Sequence, residues 1–133
     1  MLLLAQKTGF LLLHDSSHNW LYASWTGPNT AEGMCQHHDL LLQQVCRLKY
    51  TKLLNDSAQD CDGWRELSRW VATNCFLVLA ESGIQAVAWV LPSDPPASRD
   101  QQRVLASVKA PLLDVFQEVE AAYNWLLKWP QQV

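Results

Sequence analysis

The sequence lacks a cluster of lysine or arginine, a CxxC pair, a glycine-rich loop and an apolar run of membrane-spanning length. Each absence excludes something. Lys and Arg number 10 against 13 Asp and Glu, a formal net charge of −3. With no basic stripe to meet phosphates, nucleic acid and anionic membrane surfaces are not expected as partners. The longest nearly unbroken apolar stretch, Ile84 to Leu91, falls far short of the roughly 20 residues that cross a bilayer. Met1 to Leu4 is apolar, but no basic region precedes it and Lys7 and Gly9 interrupt it, so no export signal is read. Without one, the four cysteines (Cys35, Cys46, Cys61 and Cys75) are expected to be reduced thiols in the cytoplasm.

What is present suits one folded domain over residues 1–133. Of these residues, 49% are hydrophobic and 17% charged, enough apolar surface to build a core. Leu2 to Gln6 and Phe10 to His14 flank Lys7-Thr8-Gly9 and read as a hairpin, and aromatic-rich Trp20 to Trp25 adds a third strand. Asn29 or Thr30 then caps a helix reaching about Lys49, with Met34, His38, Leu41, Val45 and Leu48 on its core face. A short strand at Lys52 to Asn55, a polar loop, a helix over Trp64 to Ser82 and a strand at Ile84 to Leu91 follow. Ser93-Asp94-Pro95-Pro96 reads as a rigid loop before a helix from about Ser98 to Val108. Leu112 to Phe116 supplies the last strand and Glu118 to Trp129 the last helix, stopped by Pro130. The class is therefore α/β: N-terminal antiparallel strands, then βαβ crossovers that make the rest of a mixed sheet parallel, with helices packed on it.

The chemistry-bearing patterns are incomplete. Cys35, His38 and Asp39 share one side of a helix, but His38 belongs to the core stripe and no second ligand pair follows at zinc spacing. Asp60-Cys61-Asp62-Gly63 imitates part of a calcium loop. Aligned on Gly63, however, it puts Ala58 and Arg69 where carboxylate ligands belong. No GxSxG elbow occurs, and Gly9, Gly27, Gly33, Gly63 and Gly83 are isolated. No metal, no cofactor and no enzymatic activity are expected. The seven tryptophans exceed what one small core readily covers and point to a binding face or a symmetric homodimer.

Trp20-Leu21-Tyr22-Ala23-Ser24-Trp25-Thr26-Gly27-Pro28, Thr51 to Asp56, Ala88 to Leu91, and Phe116 with Ala121 to Leu126 together resemble small bacterial proteins with a STAS-like fold. STAS denotes sulfate transporters and anti-sigma factor antagonists. The resemblance implies a mixed sheet with helices largely on one side and a role in binding a protein or small ligand without catalysis. It also exposes a departure, so the phospho-switch is not expected to carry over: in anti-sigma factor antagonists a phosphorylatable serine opens the helix after the central strand. Here that region reads Cys61-Asp62-Gly63-Trp64, with Ser57 just after the strand as an imperfect substitute.

The expected function is a non-catalytic STAS-like interaction or regulatory module; a small-molecule-binding domain or minor enzyme is the alternative. Either would use the carboxyl ends of the strands, where open α/β sheets bind ligands. The candidate residues there are Asp56, Ser57 and Asp94, with Trp64 as a candidate exposed aromatic.

Overall fold

The computed structural model of the chain describes residues 1–26, 30–59, 74–106 and 108–130. Strands β1 (Leu2–Lys7), β2 (Phe10–Asp15) and β3 (Trp20–Thr26) form an antiparallel meander. The chain continues through α1 (Ala31–Leu48), β4 (Lys52–Gln59), α2 (Phe76–Glu81), β5 (Ala86–Val90), α3 (Pro95–Leu105), β6 (Leu112–Phe116) and α4 (Val119–Lys128). All six strands join one sheet in the spatial order β1-β2-β3-β4-β5-β6, and every pairing from β3 to β6 is parallel. This is the mixed α/β sheet expected from the pattern of the chain.

Local chemistry sets the joints. Gly9 adopts φ +82°, open to glycine without a steric cost, so the β1–β2 turn folds tightly and the Thr26 N–H reaches Gly9 O at 3.0 Å. The Thr30 side chain accepts from Gly33 N–H to cap α1, and Lys49 closes that helix in the left-handed region at φ 56°.

Alternation of side chains across the strands builds two cores. On one face Leu12, Leu21, Leu53, Val87 and Trp89 meet Met34, Leu41 and Val45 of α1, Phe76 and Leu79 of α2, and Val104 and Leu105 of α3. On the other, Trp20, Leu54, Ala86, Ala88 and Val90 meet Ala122 and Leu126 of α4. β5 is buried on both faces, hence its unbroken apolar sequence. Its small side chains, Ala86 and Ala88, face α4 and let that helix approach closely.

Two boundaries and one core residue differ from the sequence reading in ways that bear on the site. β4 runs on to Gln59 rather than stopping at Asn55, placing Ser57 within the strand instead of after it. The helix expected from Ser98 begins at Pro95, because Asp94 caps it and two prolines fit a first turn whose N–H groups lack intrahelical partners. Leu48 is exposed, lying on the last turn of α1 where the helix runs beyond the core. Of the helix expected over 64–82, residues 64–73 lie outside the described residues.

Candidate functional site at the carboxyl edge of the sheet

Because β3 to β6 are parallel, their carboxyl ends share one edge of the sheet. Beyond β4 and β5 this edge opens into a cleft of about 530 Å³, lined by Ala58, Gln59, Leu91, Pro92, Ser93, Pro95, Ser98 and Gln117. The size suits a small molecule or a few residues of peptide. Its polar side chains, Gln59, Ser93, Ser98 and Gln117, are all neutral. Ser98 Oγ already accepts from Gln102 Nε2 at 3.2 Å, keeping its own proton free to donate.

The residues chosen from sequence come close to this cleft but have partners inside the fold. Asp56 is buried on the sheet face shared with α4. Its carboxylate accepts from the Tyr22 hydroxyl across the β3–β4 pairing and from the Ala58 N–H at 3.0 Å. Burial first, and then the Asp56 carboxylate, push the Tyr22 phenol well above the usual tyrosine range. Ser57 faces the opposite side and is fully buried. Its hydroxyl accepts from Asn55 Nδ2 at 3.2 Å, while Asn55 Oδ1 accepts from Trp25 Nε1 at 2.7 Å. A side chain so enclosed is a poor substrate for a kinase. Asp94 accepts from Ala97 N–H at 3.2 Å as the cap of α3. Trp64 lies outside the described residues, as do Asp60 to Gly63 with their calcium-like pattern.

At the opposite edge, side chains distant in sequence converge. Asp15 Oδ1 accepts from Ser17 N–H at 3.0 Å and His18 N–H at 3.3 Å, closing the β2–β3 turn. The His18 ring stacks on Trp20 with centroids 4.7 Å apart, and its Nδ1 lies 2.9 Å from the Tyr123 hydroxyl. Lys52 Nζ donates to Leu126 O at 2.8 Å and sits 5.6 Å from the Trp20 ring and 5.8 Å from that of Trp129. A cation there favours the carboxyl end of α4. Burial lowers the Lys52 ammonium below the usual lysine range. No spacing motif could reveal this cluster, since positions 15, 18, 52 and 123 meet only once the sheet is formed.

The helix splits Cys35, His38 and Asp39, the incomplete metal pattern of the sequence. His38 turns into the core, where burial holds its pKa down, while Asp39 is exposed. Among the described residues, no three His, Cys, Asp or Glu side chains converge as a ligand set. Also among them, no helix is long and apolar enough to cross a membrane. Comparison with protein-family models, with curated proteins and with solved structures returns no match to this chain.

Proposed function

We propose that this chain is a non-catalytic STAS-like interaction or regulatory module that recognises an uncharged polar segment of a partner protein at the carboxyl edge of its sheet. The observation carrying this reading is the chemistry of the edge cleft. Its lining offers amide and hydroxyl hydrogen bonds and proline surfaces, with no titratable side chain among the described lining residues. Such a wall orients a ligand, and its Ser93 and Ser98 hydroxyls have no acid or base among the described lining residues to activate them. Asp56 and Asp94, carboxylates beside the cleft among the described residues, are held by donors of their own fold. The consecutive strand order, with three of the four helices among the described residues contributing to one core, also suits the STAS-like resemblance.

The test is affinity purification from the native organism with the wild-type chain and with Ser93→Trp, which fills the mouth of the cleft from an exposed loop position. A partner retained by the wild type and lost by a variant of unchanged melting temperature is the expected result. Equal retention by both proteins would remove the cleft from the reading.

A further inference from the structure

A second cleft lies on the same edge of the sheet, between the β1–β2 turn and the flank of α1, with a volume of about 570 Å³. Unlike the first, it contains charge. We propose that it binds a small organic anion, a carboxylate or a phosphate monoester, through Lys7, His37 and the hydroxyls of Thr8, Thr26 and Thr30.

The arrangement follows from helix and strand periods. Met34, His38, Leu41 and Val45 occupy the core stripe of α1, so Gly33, Gln36, His37 and Leu40 fall on the adjoining flank and line the cleft. Lys7 pairs across the hairpin with Phe10. The Phe10 ring, at the start of β2, stacks on the His37 ring at 5.0 Å and 9°, which holds the β1–β2 hairpin against helix α1 beside the cleft. Gly9 keeps the turn tight there: a Cβ would stand 2.9 Å from Thr26 O.

The electrostatics favour an anion. Among the described residues the only ion pair joins His18 to Asp15, so Lys7 enters the cleft without a carboxylate partner. Burial and then the Lys7 charge hold the His37 imidazole below its ordinary pKa. The ring is therefore neutral near pH 7, and a bound anion would raise its pKa. Asp39 is the one carboxylate of the lining; it is exposed and projects about 160° around the helix axis from His37, which puts it at the outer rim. The Gly33 N–H is already bonded to Thr30 Oγ1 at 3.0 Å. The site therefore rests on side chains rather than on the helix end, and Thr30 keeps its hydroxyl proton for a ligand.

Inorganic phosphate and acetate, each titrated at constant ionic strength against isotopically labelled protein and compared with chloride, test the site by NMR of the His37 ring. Expected are saturable shifts with at least one of the two anions, a raised His37 pKa at saturation, and binding about 10-fold or more weaker in Lys7→Gln. Lys109→Gln, an exposed lysine outside the cleft, should bind as the wild type does. Phosphate alone saturating would identify a phosphate monoester as the ligand class, and acetate a carboxylate. Shifts that are linear and equal for chloride, or undiminished in a Lys7→Gln protein of normal melting temperature, would overturn the proposal.

Discussion

Replacing Asp56 by alanine separates a residue of the fold from a residue of the site. The substitution strips the acceptor from two donors, the Tyr22 hydroxyl and the Ala58 N–H. Each of these partly buried donors, left without a partner, costs up to about 1–3 kcal/mol. Removing a buried carboxylate relieves part of its own desolvation, so the net loss is about 2–3 kcal/mol. For 133 residues, with roughly 3–5 °C per kcal/mol, the melting temperature should fall by about 6–15 °C. Urea unfolding is readily followed through the seven tryptophans. Asp56→Asn, which keeps one acceptor oxygen, should lose about half as much. In a double-mutant cycle Asp56→Ala and Tyr22→Phe should couple by about 1–2 kcal/mol. An Asp56→Ala protein within about 0.5 kcal/mol of wild type, the ordinary range of an exposed substitution, would refute this account and return Asp56 to the list of free edge carboxylates.

Alkaline titration addresses the other half of the pair. The Tyr22 phenol is raised in the folded state, so its contribution is fully present below the unfolded tyrosine pKa of about 10 and is lost as pH rises above it; Tyr22→Phe should flatten that limb in urea midpoints measured from pH 8 upward. Lys49→Gly should raise stability by about 0.5–1 kcal/mol, because a non-glycine residue at φ 56° is strained where glycine is not, and thermal melts would detect it. Leu3, 52% exposed on the edge strand β1, should contribute to a homodimer, and Leu3→Lys should shift sedimentation toward monomer without lowering the melting temperature; a wild-type chain that stays monomeric across a wide concentration range would remove the dimer.

Much of the architecture was readable from periodicity because most apolar residues of the stripes obey it, Leu48 at the end of α1 being an exception. Met34, Leu41 and Val45 are buried on the predicted stripe of α1, as are Ala122 and Leu126 on that of α4. The far end of β4 was not readable, since Asn55, Asp56 and Ser57 carry the composition of a turn. They remain in a central strand because Trp25 and Tyr22, about 30 positions earlier in the chain, donate to Asn55 and Asp56, and Asn55 in turn donates to Ser57. The carboxyl edge could be anticipated from strand direction, but the walls of its clefts could not. Gln59 and Gln117, like Lys7 and His37, have no spacing relation; the register of the sheet brings the first pair to one cleft, and the packing of α1 beside the hairpin the second.

The consecutive strand order also bears on how the chain is made. Every strand of this sheet lies beside the one that precedes it in sequence, so none must be inserted between two neighbours already paired. During synthesis the meander of β1 to β3 leaves the ribosome first and presents the edge of β3 as a template. β4, β5 and β6 can then each dock on the strand before it, along with the helix that connects them. Growth by addition at one edge keeps each loop closure local. The exposed template edge of the unfinished chain moves along the sheet as synthesis proceeds, and the apolar β5, which would be the most adhesive template, is covered when β6 and α4 arrive.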